Sequence, residues 1–220
     1  MLQRMICIDS TEVTQGQYQA FLADKNGDTS GQPTECMWNM KFAPDLGCTF
    51  NPTGLPSYPV NGVDWCDAAA FCKWAGKRLC GGPTGGLIDT SAKSDLGKAE
   101  ISEWTAVCTH GGEQAYPYST MFDGNACNGK EHMMTPSILA VGSVTTCQGG
   151  YPGIFDMVGN VHEWEGACYS GGTGSGQDDK CWFRGGAYED PGDACATAYD
   201  LRRDYVDMYC DIGIRCCADY

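Results

Sequence analysis

Fifteen cysteines are the residues of this 220-residue chain with the most chemistry to offer: Cys7, Cys36, Cys48, Cys66, Cys72, Cys80, Cys108, Cys127, Cys147, Cys168, Cys181, Cys195, Cys210, Cys216 and Cys217. A thiolate can bind soft metals, act as a nucleophile, or oxidise to a disulfide. No C-x-x-C pair occurs, which speaks against a zinc ribbon or a thioredoxin-type redox pair. Scattered spacing fits disulfides. These persist in oxidising compartments, so the sequence predicts a secreted, periplasmic or cell-surface protein, such as one on a bacterial surface. The count is odd, which leaves at least one thiol free, mixed or intermolecular. A subunit of an extracellular assembly is therefore one reading.

Oxygen ligands come next. Asp156 and Glu163 flank Gly159, and two acids with a glycine between them can wrap a calcium ion. The alternative is a structural turn in which Glu163 pairs with an arginine. Asp24, Asn26 and Asp28 also alternate oxygen ligands, but the downstream glutamate of an EF-hand loop is missing, so that segment reads as a turn. The histidines, His110, His132 and His162, have no H-x-x-x-H spacing. His132 lies beside Glu131, Met133 and Met134, a soft cluster that reads as a loop with methionine fillers. No G-x-S-x-G nucleophile elbow is present, and the glycine-rich stretch 171–176 reads as a flexible loop. Towards the C-terminus, Tyr188, Tyr199, Tyr205 and Tyr209 interleave with Asp190, Asp193, Asp200, Asp204, Asp207 and Asp211. Tyrosine gives large amphipathic contact area at low entropic cost, so this stretch is a candidate surface for a protein or peptide partner. Arg202 and Arg203 are placed to pair with its acids internally.

A net charge of -14 repels polyanions, so nucleic acid is a poor partner. No apolar run of about 20 residues exists to span a membrane. The start, Met1 to Ile8, shows no signal peptide, and Ile6 to Ile8 reads as a strand. An export signal is expected to have been removed.

Short elements must position these groups. Thr14 can cap a helix to Leu22, with Tyr18, Phe21 and Leu22 on one face. Asp64 can cap a second helix to Ala75, stopped by Gly76. A third runs from Ser102 to Cys108. Short strands are expected at Ala140–Val144, Val161–Glu165, Cys181–Arg184 and Gly213–Cys217. With 30 glycines and 10 prolines, turns dominate. No repeat or compositional break is visible, so residues 1–220 are expected to form one domain.

Five ordered stretches carry a family resemblance: Tyr58 to Leu79 with its W-C-D-A-A-A-F-C-K-W-A-G-K-R-L, Ser102 to Cys108, Asp156 to Trp164 (D-M-V-G-N-V-H-E-W), Arg184 to Tyr188 (R-G-G-A-Y) and Gly213 to Cys216 (G-I-R-C). Together they resemble the formylglycine-generating enzyme, or sulfatase-modifying factor, family. The resemblance implies a compact α+β fold, related to C-type lectins, with little regular secondary structure. Its members include copper oxidases that convert a protein cysteine to formylglycine, domains of sulfoxide synthases, and ligand-binding proteins with diversified loops. It also implies a calcium loop using Asp156, the Gly159 and Val161 carbonyls and Glu163, and a second calcium site beginning at Asn128 and Gly129. The family's two copper cysteines fall at Asp190 and Cys195, so only the second thiol is present. The family's serine is replaced by Ala187, and His162 stands where the family has an aromatic. A Cys108–Cys216 disulfide is implied, which leaves Cys195 to pair most simply with Cys210 or Cys217. The C-terminal tyrosine stretch matches the ligand surface of the diversified members. The expected function is a non-catalytic binding or structural module stabilised by calcium and disulfides. The alternatives are a copper-dependent oxidase acting through Cys195, or another metal-dependent oxidoreductase of the family, and a subunit of an extracellular assembly.

Overall fold

A computed structural model describes residues 6–45, 47–132, 136–172, 176–204 and 210–219. Two capped helices open the fold. Helix α1 (Gln15–Lys25) begins at Thr14, whose side chain accepts from the Gln17 N–H while the Gln17 side chain accepts from the Thr14 N–H. Helix α2 (Trp65–Trp74) repeats this reciprocal cap with Asp64 and Asp67. Such a cap satisfies two amides that the helix leaves unpaired. Tyr18 and Phe21 of α1 pack on Phe71 of α2 with ring centroids 5.6 and 5.7 Å apart.

Strands β1 (Cys7–Ile8) and β2 (Arg78–Leu79) flank β8 (Cys216–Ala218) in an antiparallel three-stranded sheet. Two short helices, α3 (Lys93–Leu96) and α4 (Glu103–Cys108), follow β3 (Ile88–Asp89). The larger sheet is centred on β4 (His162–Tyr169). Antiparallel to it runs β5 (Lys180–Arg184), which in turn pairs with β6 (Ala198–Arg202). The other edge of β4 is shared by β3 and by β7 (Ile212–Ile214), both parallel to it. Seven of the eight β4 residues are buried, so this strand carries its charged side chains into the interior. The segment Ala140–Val144, expected as a strand, is a turn. Gly142 takes a positive φ of 67° and gives its N–H to Asp156 instead of to a ladder.

Seven disulfides cross-link the chain: Cys36–Cys66, Cys48–Cys210, Cys72–Cys216, Cys80–Cys217, Cys108–Cys195, Cys127–Cys147 and Cys168–Cys181. Cys7 is the free thiol among them, half-buried on β1. The expected Cys108–Cys216 bridge is therefore corrected. Adjacent residues of a strand face opposite sides. On β8 this sends Cys216 to α2 and Cys72, and Cys217 to the opposite core with Cys80 and Cys108. Cys108, at the end of α4, then meets Cys195, with 5.7 Å between α-carbons. No helix of the described residues is long and apolar enough to cross a membrane.

Candidate functional site

Buried charge is concentrated on β4. Glu163, fully buried, accepts from Arg215 Nε at 2.8 and 2.9 Å, from Arg215 Nη2 at 2.8 Å and from Trp104 Nε1 at 2.6 Å. Arg215 also donates from Nη1 to the Asp9 carbonyl and from Nη2 to the Phe155 carbonyl, both at 2.8 Å. Burial raises the Glu163 carboxyl, and Arg215 opposes that shift. Two residues further along, Glu165 accepts from Arg184 at 3.2 Å and from Ser102. Arg184 also stacks over Trp104 at 4.7 Å and binds the Cys195 carbonyl at 2.5 Å. Desolvating such pairs costs several kcal/mol per ion, which their mutual attraction and the added hydrogen bonds to Trp104, Ser102 and backbone carbonyls offset.

The expected calcium loop does not fit a calcium ion. Calcium needs six to eight oxygens with carboxylates among them. Both Glu163 oxygens are already taken, and a cation there would displace the guanidinium of Arg215. Asp156 accepts from the Gly142 N–H at 2.5 Å and faces Glu12. Burial pushes the Glu12 carboxyl well up, reinforced by the charge of Asp156, and Glu12 Oε1 accepts from the Asn160 amide at 2.8 Å. Gly159 is needed for close packing: its φ is 77°, and a Cβ there would meet the Asn128 carbonyl oxygen at 2.6 Å. Val161 is fully buried. At the second expected site, Asn128 gives its amide N–H groups to Ser137 and Asn160, leaving Oδ1 buried without a partner. Gly129 lines the neighbouring cleft. One amide oxygen is not a calcium cage, and no group of three His, Cys, Asp or Glu residues able to hold a metal occurs among the described residues.

The cleft lies between the 118–131 segment, residues 158–159 just before β4, and the 185–193 loop that follows β5. Its lining includes Tyr118, Phe122, Glu131, Gly186, Ala187, Asp190 and Asp193. The start of β4 places His162 behind it, with a side chain only 7% exposed and Nε2 at 2.8 Å from Asp190 Oδ2. The same Oδ2 accepts the Ala187 N–H at 3.0 Å. The His162 hydrogen bond holds Asp190 below the usual carboxylate range. Asp193 is shifted the other way, raised by burial and then by the charge of Asp190. Tyr199, 39% exposed, donates to Asp193 Oδ1 at 3.3 Å, and burial with Asp193 pushes its phenol up to about 12. His162 packs edge-on against Phe183 and Tyr199.

Cys195, the candidate catalytic thiol, is fully buried and bridged to Cys108. Asp190 takes the other expected copper position. Copper(I) favours a pair of soft thiolates. A disulfide and a carboxylate do not fit it. Of the candidate recognition tyrosines, Tyr199 borders the cleft through Asp193, and Tyr188 is half-buried with its N–H on the Asn160 carbonyl. Tyr205 and Tyr209 lie outside the described residues, as do Met133 and Met134 beside His132.

Sequence reading did not anticipate the His162–Asp190 contact, although a signal was present. Both residues depart from the pattern of the motifs around them, one an aromatic turned histidine, the other a cysteine turned aspartate. An imidazole and a carboxylate that replace an aromatic and a thiol can satisfy one another by a hydrogen bond, and that complementarity was the signal. The alternative in which Glu163 pairs with an arginine is the one found, with Arg215 of the G-I-R-C stretch as its partner, whereas Glu12 was missed because nothing in its local sequence marks it as buried.

Comparison with known proteins agrees with the five ordered stretches. A family model described as "Sulfatase-modifying factor enzyme 1-like domain" matches residues 3–220. The chain is 30% identical over 146 residues to "Inactive C-alpha-formylglycine-generating enzyme 2" of Bos taurus, covering 64% of this chain and 42% of that protein. It is 29% identical over 126 residues to "Formylglycine-generating enzyme" of Streptomyces coelicolor, covering 54% and 35%. The chain thus matches less than half the length of these relatives. Among solved structures, CarF superposes with a TM-score of 0.64 at 22% identity, over 97% of this chain and 85% of that one. PvdO from Pseudomonas aeruginosa gives 0.60 at 19%, over 98% and 80%, and Treponema denticola variable protein 1 gives 0.58 at 18%, over 97% and 84%. At these identities the likeness is one of fold.

Proposed function

Since the chain belongs to the sulfatase-modifying factor enzyme 1-like family, we propose that it is a non-catalytic binding module of that family, one domain across residues 1–220, working in an oxidising compartment outside the cytoplasm. The observation that carries this reading is the loss of the thiolate pair: Asp190 stands at one of the two positions, hydrogen-bonded to His162, and Cys195 at the other is locked to Cys108. A disulfide sulfur offers copper no thiolate, and Asp190 is a hard oxygen ligand already engaged on one side. Seven bridges support the compartment, because such density persists only where thiols oxidise. A relative whose printed name is an inactive formylglycine-generating enzyme gives precedent for the scaffold without the oxidase chemistry.

The test is non-reducing peptide mapping combined with a copper(I) competition titration on the purified protein. The expected result is a Cys108–Cys195 cross-linked peptide and no copper retained against a chelator. Copper near one equivalent, with Cys195 alkylated in the native protein and a cysteine peptide oxidised, would overturn the reading. A dimer that collapses on reduction, with Cys7 in the bridge, would add an assembly role to the binding one.

A further inference from the structure

The cleft has an unusual charge arrangement. Asp190 and Asp193 both line it. Each has committed one oxygen. Asp190 Oδ2 takes His162 and the Ala187 N–H, and Asp193 Oδ1 takes the Tyr199 hydroxyl. Asp193 Oδ2 is buried and has no hydrogen-bond partner, a costly state for a carboxylate oxygen. His162, nine-tenths buried against Asp190, is likewise short of a partner at Nδ1. No ion pair joins a lysine or arginine to Asp190 or Asp193 among the described residues: Lys93 lies over the Tyr199 ring at 4.8 Å, and it and Lys130 act on the two acids only as more distant charges. Glu131 and Asp123 add further negative charge to the wall.

Shape narrows the choice of ligand. The floor of the cleft holds about 20 Å³, the room of one water-sized group. A compact ammonium head matches a space of that size. A wider hollow adjoins the floor and shares Tyr118, Phe122, Asp123 and Gly124 with it. Met121 and Phe122, 76% and 47% exposed, offer that hollow an apolar wall. Gly192 lets the Phe122 ring lie there, since a Cβ at that position would come within 2.3 Å of it. An apolar rim above an acidic floor suits a charged head on an alkyl stem.

We propose that this cleft is a subsite for a primary alkylammonium group, the ε-ammonium of a lysine on a protein or peptide partner. The head sits between Asp190 and Asp193, and the methylene stem lies along Phe122 and Met121. His162 is a positioning residue that keeps Asp190 ionised and turned to the cleft. The proposal rests on the binding-module reading and gives that module its ligand chemistry.

The experiment is an NMR-detected titration of the full, oxidised chain with Nα-acetyl-lysine methylamide, its Nε-acetylated counterpart, and 1,5-diaminopentane. The expected result is saturable shifts at the Gly186, Ala187, Asp190 and Asp193 amides with the lysine probe, and none with the acetylated one. Asp193→Asn weakens binding at least about tenfold. Asp190→Asn does the same, and Asp193→Asn remains the decisive variant should the loss of the His162 pairing disturb folding. Equal shifts with the acetylated probe, or unchanged binding by Asp193→Asn, overturn the proposal. Tighter binding of the lysine probe than of the diamine identifies a peptide lysine, and the reverse order overturns the peptide source. Failure is distinguishable from failure of the module reading: a protein that retains no copper and shows no lysine-dependent shift refutes the subsite alone.

Discussion

Removing the Cys108–Cys195 bridge with Cys108→Ala and Cys195→Ala tests the arrangement on which the functional reading depends. The two cysteines are 87 residues apart in sequence, yet the bridge closes a shorter loop because other bridges remain. The route back from Cys108 to Cys80, across to Cys217 and back to Cys195 spans roughly 50 residues, for which the chain-entropy relation gives about 4 kcal/mol. Both sulfurs are buried among Trp104, Met157 and Val158, so little of that loss is recovered by hydration. For a chain of this size about 4 kcal/mol corresponds to a fall in Tm of roughly 8–16 °C. Thermal melts followed by circular dichroism, wild type against double variant under identical oxidising conditions, measure it. Tm values within about 2 °C of each other, or alkylation of Cys195 in the unreduced wild type, would refute the reasoning, because Cys195 would then not be a structural sulfur.

Other perturbations follow from the same geometry. Arg215→Met strands the Glu163 carboxylate and should cost about 3–5 kcal/mol by urea denaturation, most of it regained in the Arg215→Met, Glu163→Gln double variant; an unchanged single variant would rule out the ion pair. Addition of calcium or of a chelator should leave Tm unchanged, since Arg215 already occupies Glu163; a calcium-dependent rise of several degrees would show that the Asp156–Glu163 loop binds the ion after all. Glu12, whose folded carboxyl is raised, contributes stability that is full below the ordinary glutamate range and is lost as pH rises through its folded value. Glu12→Gln should therefore flatten the decline in stability as pH rises above the ordinary glutamate range, and a profile identical to wild type would dismiss the raised carboxyl. Asp190 has the opposite sign: its lowered carboxyl stabilises above the ordinary aspartate range, and that contribution fades as pH falls through its folded value, so Asp190→Asn should lose stability at neutral pH and converge on wild type in acid.

Local signals account for what could be read without a structure. Thr14, Asp64 and Ser102 each cap the helix expected after them, because a cap is a contact between residues three apart. The five ordered stretches identified the family, and the cysteine spacing announced disulfides rather than a metal ribbon. Long-range partnerships were decided by the tertiary structure alone. Cys216 and Cys217 part company because neighbouring strand residues face opposite sides, so a partner chosen from motif likeness fell on the wrong face. Ala140–Val144 became a turn because Gly142 serves Asp156, 14 residues away in sequence. Glu163, a plausible calcium ligand by type, is answered by Arg215, 52 positions further on between β7 and β8. His162 and Asp190 meet only because β4 brings one under the loop that carries the other. Residue types and short spacings are properties of the chain, whereas which charges meet in a low-dielectric interior is settled when the sheet closes and desolvation forces each buried group to find a partner.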